Sequence, residues 1–221
     1  TNAMFNYGTM LRVGEGIAIN KKEAARYFKM SADSGNSNAM CNYGSMLRDG
    51  DGITADKKEA ARYLKMSAEK GNGFGMFTYG VMLHDGDGVA VDKKEAARYI
   101  KKSAEQGNSF AMSNYGILLL KGDGVTTNKR EAIRYFKLAA DQGNIHAMTN
   151  IGMLLYEGKE IPGDKQEAAR YLKMAADKGD PDAMFNYAVM LNDGDGVNID
   201  RREAARYAKM AADKGNQNAI L

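Results

Sequence analysis

The 221-residue chain has one cysteine, two histidines and no apolar run approaching a membrane span. Cys41 alone cannot close an internal disulfide, which leans towards a reducing, cytoplasmic setting. His84 and His146 have no neighbouring Cys/His spacing that suits zinc, so no metal is expected. Nothing resembles a charged, then apolar, then small-residue secretion signal, and the chain reads as soluble. Also missing are a nucleophile with a base and an orienting partner, a phosphate loop after a strand, and an isolated carboxylate pair. These gaps point away from an enzyme: no catalytic residue and no cofactor is expected. Charge has little of either sign in excess, with 31 Lys and Arg against 28 Asp and Glu.

What the chain has is repetition. Ala3, Ala39, Ala111, Ala147, Ala183 and Ala219 fall on a 36-residue spacing, as do Tyr27, Tyr63, Tyr99, Tyr135, Tyr171 and Tyr207. Gly35, Gly71, Gly107, Gly143, Gly179 and Gly215 keep the same step. A period of roughly 20–50 residues marks a small supersecondary element that cannot bury its apolar face alone and stacks on its neighbours. Residues 1–221 are therefore expected to form one elongated repeat domain. The chain opens inside a repeat, with Thr1-Asn2-Ala3 standing where Ser37-Asn38-Ala39 stand, and stops at Ile220 and Leu221 soon after a seventh begins. It reads as a fragment of a longer array.

Residues 36–71 show what one repeat builds. Asn36 is a helix N-cap, and its counterpart Asp180 precedes Pro181, the residue favoured at the first helical position. A first helix, A, is predicted from about Ser37 to Arg48, broken by Gly50-Asp51-Gly52. A second helix, B, starts at Asp56 with Glu59 three residues on, a capping box that recurs as Asn20/Glu23, Asp92/Glu95, Asn128/Glu131, Asp164/Glu167 and Asp200/Glu203. Gly71 ends it. At about 100° per residue, Ala60, Tyr63, Leu64, Ser67 and Ala68 share the packing arc of B, and Lys58, Arg62, Lys65 and Glu69 the solvated one. On A, the buried arc holds Ala39, Met40, Tyr43, Gly44, Met46 and Leu47. The fold class is all-α, with antiparallel helix pairs on a 36-residue repeat.

The run Ala39-x-x-Asn42-Tyr43-Gly44-x-Met46-Leu47-x-x-Gly50-x-Gly52-Ile53-x-x-Asp56, followed by Ala60-Ala61-x-Tyr63 and Ala68-x-x-Gly71-Asn72, resembles the Sel-one-like repeat (SLR) family, relatives of the tetratricopeptide repeats. Tyr43 and Leu47 stand in the reverse of that family's usual Leu and Tyr order. The fifth loop, Gly158 to Gly163, lacks the second Gly. The resemblance implies a right-handed α-solenoid whose members act as adaptors and scaffolds for protein complexes.

Comparing the repeats with one another separates scaffold from surface. Helix A varies at the positions of Ser37, Asn38, Cys41, Ser45 and Arg48, which share about 100° of arc. In solenoids of this kind the A helices line the concave side, and at separations of about 8–10 Å six of them make a groove near ~50 Å long. The candidate partner-binding residues are Phe5, Asn42, Phe77, Val81, His84, Asn114, Ile117, Leu120, Asn150, Met153, Tyr156, Phe185 and Val189. A groove rich in aromatics suits a protein or an extended peptide. The alternative for each apolar position is that it completes packing between repeats. Asn6, Asn42, Asn114, Asn150 and Asn186 form an amide ladder, suited either to a peptide backbone or to a bond between helices.

Other signals have plainer readings. Asp49-Gly50-Asp51-Gly52 invites calcium, but an EF-hand would need an oxygen ligand at Ile53, Gly at Thr54 and Glu at Ala60. Ser67 to Lys70 matches S-x-x-K without its companion motifs. Arg26, Arg62, Arg98, Arg134, Arg170 and Arg206 would align as a basic outer stripe, and binding of nucleic acid or an anionic membrane there is the weaker alternative, since Glu59 and Glu69 interleave with it. A third reading is a spacer that self-associates end to end.

Overall fold

The computed structural model of the chain describes residues 1–158 and 164–219. Among the described residues all regular structure is helical: α1 (Asn2–Val13), α2 (Lys21–Asp33), α3 (Ser37–Asp49), α4 (Lys57–Glu69), α5 (Gly73–Asp85), α6 (Lys93–Glu105), α7 (Ser109–Lys121), α8 (Lys129–Asp141), α9 (Ile145–Glu157), α10 (Lys165–Asp177), α11 (Pro181–Asp193), α12 (Arg201–Asp213) and a 3₁₀ turn at Gln217–Ala219. Odd-numbered helices are the A helices and even-numbered the B helices. The chain divides into two compact units, Thr1–Thr127 with α1–α7 and Asn128–Leu221 with α8–α12. Within each, consecutive helices pack as antiparallel hairpins stacked side by side. No described helix is long and apolar enough to cross a membrane.

Every α-helix after α1 starts where its cap residue satisfies an orphan backbone donor. The Glu59 N–H donates to the Asp56 carboxylate at 3.0 Å, and the same bond opens the other five B helices. The A helices from α3 on open likewise, with Ala39 N–H on the Asn36 amide oxygen at 2.9 Å. Helix α3 runs to Asp49, one residue past the expected end, because Gly50 takes the left-handed turn at φ +68°. The reverse half of the capping box is diverted: the Glu59 carboxylate receives Arg62 in a two-pronged pair at 2.8 and 2.6 Å.

That pair starts a chain of contacts that ties a repeat to the one before it. The Arg62 guanidinium lies 4.3 Å over the Tyr63 ring, and Tyr63 meets Tyr43 edge-on at 4.9 Å. Its hydroxyl donates to Asp33 of α2 at 2.8 Å, where Lys29 also binds at 2.9 Å. In the second unit Arg206 covers Tyr207 at 4.4 Å, Tyr207 meets Tyr187 at 5.1 Å, and its hydroxyl donates to Asp177 of α10. Edge-on aromatic pairs contribute about 0.5–1.5 kcal/mol beyond their buried area.

Burial follows the predicted arcs. Ala60, Tyr63, Leu64, Ser67 and Ala68 are all buried, while Lys58, Arg62, Lys65 and Glu69 are exposed. On α3 the expected arc is buried except Tyr43, which is half-buried. A and B helices approach closely because Gly44 has no Cβ: one added there would sit 2.8 Å from Leu64 Cγ. The sixth repeat solves the same packing differently, placing Ala188 where others have Gly and Ala208 where others have Phe, Leu or Ile. One side gains a methyl and the other gives up bulk.

The loop between A and B rests on the preceding B helix. A Cβ on Gly88 would overlap the Lys57 carbonyl oxygen, and one on Gly196 the Lys165 carbonyl, and both glycines have positive φ. The second Gly of the loop motif is therefore required twice over, by backbone conformation and by contact. The departure noted in the fifth loop falls at 159–163, outside the described residues.

Candidate functional site

The loop aspartates are engaged by cations of the chain itself. Asp51 accepts from Lys21 at 2.7 Å, Asp87 from Lys57 at 2.7 Å and Asp123 from Lys93 at 3.0 Å; in the second unit Lys165 pairs with Asp195. The last turn of the preceding A helix adds a second hold: Arg12 on Asp51 at 3.5 Å, His84 on Asp123 at 2.9 Å and the Tyr156 hydroxyl on Asp195 at 3.1 Å. Each lysine is about half exposed, so solvent screening leaves each pair alone a weak contributor. Their recurrence one repeat apart makes them a register clamp. Lys93 first, then His84, holds the Asp123 carboxyl below the usual carboxylate range. No group of metal-ligating side chains occurs among the described residues.

His84 sits between two carboxylates, Nδ1 at 2.6 Å from Asp85 and Nε2 at 2.9 Å from Asp123. Both nitrogens can donate only in the imidazolium, and the Asp85 bond, with Asp123 behind it, raises the pKa above the ordinary histidine value.

All thirteen candidate residues are half-buried. Four of them converge: Val81 and His84 of α5 with Asn114 and Ile117 of α7 line one cavity of about 200 Å³, floored by Ile100 of α6 and closed by Leu118. Phe185 and Val189 line a shallower hollow of about 330 Å³ with Ala204, Ala205 and Ala208, where the missing bulk of Ala208 leaves space. Three candidates have structural partners of their own. Phe5 packs on Phe28 with ring centroids 5.8 Å apart, and Tyr156 and His84 clamp the loops described above. Asn42, Phe77, Leu120, Asn150 and Met153 lie on the same helix face without lining either space.

The amide ladder behaves in a third way. Asn114 Nδ2 donates to the Phe110 carbonyl at 2.9 Å and Asn186 Nδ2 to the Asp182 carbonyl at 2.8 Å, each four residues back in its own helix. Those bonds take up a donor and leave the amide oxygen with its acceptor capacity. A different amide does join neighbouring repeats: Asn36 Nδ2 donates to Asn2 at 3.2 Å and Asn72 Nδ2 to Asn38 at 2.6 Å. One repeat on, Phe74 occupies the acceptor position, and the buried Asn108 Nδ2 has no hydrogen-bond partner. Phe74 and Phe110 are themselves 64% and 55% exposed. Cys41 is buried on the variable face, and desolvation pushes its thiol up to about 11.

Sequence reasoning missed the lysine–aspartate clamp and the participation of Ile100 and Leu118 in the cavity. A signal for the first was present, since Lys21, Lys57, Lys93 and Lys165 keep step with Asp51, Asp87, Asp123 and Asp195. The basic stripe is largely internally paired: Arg26, Arg62, Arg98 and Arg206 each bind the glutamate three residues earlier and lie over the adjacent tyrosine.

Solved structures share this architecture. A protective antigen of uropathogenic Escherichia coli with an SLR fold is 28% identical and superposes with a TM-score of 0.90 over 99% of this chain and 47% of its own. The present chain thus spans about half the length of that protein. A Sel1 repeat protein from Oxalobacter formigenes is 28% identical, with a TM-score of 0.88 over 96% of this chain and 87% of that one. An immunity protein from Pseudomonas aeruginosa, 18% identical with a TM-score of 0.63 over 100% of this chain and 83% of its own, shares the fold alone. Among curated proteins none matches significantly. The Sel1 repeat model matches residues 1–36, 37–72, 74–108, 109–144, 145–180 and 181–216. Six matched repeats, each built of an A and a B helix, cover nearly the whole sequence, and the chain belongs to the Sel1 repeat family.

Proposed function

We propose that the A-helix faces of this chain bind a protein or an extended peptide, and that the chain acts as a non-enzymatic scaffold. Sel1 repeat proteins are in general protein-interaction scaffolds. The observation that carries the reading is the cavity of about 200 Å³ where Val81, His84 and Ile117, at positions that vary between repeats, meet Asn114 of the recurring amide ladder. Half-buried apolar side chains held in place by packed neighbours are suited to contact because little conformational freedom is left to lose on binding. The basic-stripe alternative is weakened because its arginines are already paired with glutamates.

The test is to make Phe77→Ala, Asn114→Ala and Tyr156→Phe singly, and to measure helicity by circular dichroism beside capture of binding proteins. Unchanged helicity with capture reduced by Phe77→Ala or Asn114→Ala is the expected result. If the variants alter folding together, and none alters capture on its own, the A-helix face is not the binding surface.

A further inference from the structure

Resting on that reading, we infer that the cavity between α5, α6 and α7 is an anchor pocket for one uncharged aliphatic side chain, of leucine or isoleucine size, carried by an extended segment of a partner protein. Its volume, about 200 Å³, lies below the roughly 300–1,000 Å³ of small-molecule sites and suits a single side chain. Its apolar lining is Val81, Ile100, Ile117 and Leu118, and His84, Asp85, Asn114, Lys121 and Asp123 complete it. Ile100 is buried at 2% exposure, so the floor is set by the fold rather than by the visitor.

The charges at the mouth decide against a charged occupant. His84 is bracketed by Asp85 and Asp123, and Lys93 of α6 binds Asp123 from the other side. The remaining charged group of the lining, Lys121 of α7, is exposed. A carboxylate or ammonium entering the apolar interior would lose its water without displacing any of these pairs. Asn114 supplies an uncharged polar function: with its Nδ2 engaged by the Phe110 carbonyl, its amide oxygen can accept a backbone N–H of the segment that carries the anchor.

The experiment titrates protein labelled at isoleucine and valine methyls with acetylated, amidated peptides Gly-Ser-Xaa-Ser-Gly, where Xaa is Leu, Ala, Lys or Asp, and follows the spectrum by NMR. The leucine peptide should shift Ile100 and Ile117 saturably, with the alanine, lysine and aspartate peptides weaker by about tenfold or more. Ile117→Phe, which fills the mouth, should weaken the leucine peptide by about tenfold with helicity unchanged. Should that variant misfold, Val81→Thr, a near-isosteric polar replacement, carries the same test. Equal binding of the alanine, lysine or aspartate peptide overturns the pocket. If the leucine peptide moves Val189 but not Ile100, the pocket falls while the A-helix face stands; saturation nowhere sinks both. A concentration-dependent shift of Ile100 without peptide would assign the cavity to a second copy of the chain and also overturn the inference.

Discussion

The first unit buries a serine at the position where the second buries an alanine. Ser31, Ser67 and Ser103 are fully buried, and each hydroxyl donates to the backbone carbonyl 30 residues earlier, at the start of its own hairpin: Thr1 at 2.9 Å, Ser37 and Gly73 at 2.7 Å. Ala139, Ala175 and Ala211 are equally buried and have nothing to donate. Stacking therefore demands a small side chain at this place, not a hydrogen bond. A hydroxyl is admitted because a helix-start carbonyl with a spare lone pair lies within reach, which removes the penalty of burying it. The units differ again at the end of the A helix, where His84 clamps Asp123 in the first and Tyr156 clamps Asp195 in the second.

The harshest way to probe this comparison is at a feature the units share. Gly88→Ala and Gly196→Ala each force a side chain into a positive-φ position against a lysine carbonyl, and each is expected to destabilise the chain by about 2–4 kcal/mol. Urea unfolding of both variants checks it; a tolerated Gly196→Ala would show that the second unit does not depend on the same loop seating. A smaller effect separates the units. Ser67→Ala should lower stability by about 0.5–1.5 kcal/mol, whereas Ala175→Ser should change it by less than about 0.5 kcal/mol, because the Ile145 carbonyl is the counterpart acceptor. A large loss from Ala175→Ser would mean that the second unit leaves its carbonyl out of reach.

The smallest expected effect concerns pH. Because the folded-state pKa of His84 is raised by Asp85 and Asp123, its contribution is complete below the unfolded value near ~6.5 and is lost as pH rises through the folded value. Tyr156, with its pKa raised by desolvation and by Asp195, stays protonated over the same window. Thermal unfolding between about pH 5.5 and 8.5 should therefore favour acid for the wild type and lose that preference in His84→Gln, the other histidine, His146, serving both proteins alike. An unaltered pH profile in the variant would remove His84 from the clamp.

Much of the fold was legible because its determinants are local. Asp56 and Glu59 lie three residues apart, and Ala60, Tyr63, Leu64, Ser67 and Ala68 fall on one arc whatever they pack against. The site was only partly legible. Self-comparison found Val81, His84, Asn114 and Ile117, but it could not tell that Phe5 leans on Phe28 or that Tyr156 holds Asp195. Nor could it show that the Asn114 amide turns back onto its own helix. Those outcomes depend on which rotamer the neighbouring repeat leaves open.

By itself the sequence determined the period, which the repetition displays directly, and the helix limits, the caps and the buried arcs, since each of these three rests on residues within about two turns of one another. Only the tertiary structure decided which carboxylate meets which cation and where a cavity remains. Lys93 and Asp123 are 30 residues apart and His84 and Asp123 are 39, and pairs that distant are chosen by the packing of one hairpin on the next. The aspartates that looked like a turn motif thus serve as clamps. The variable positions that looked alike divide, by what lies beside them, into packing, clamp and pocket.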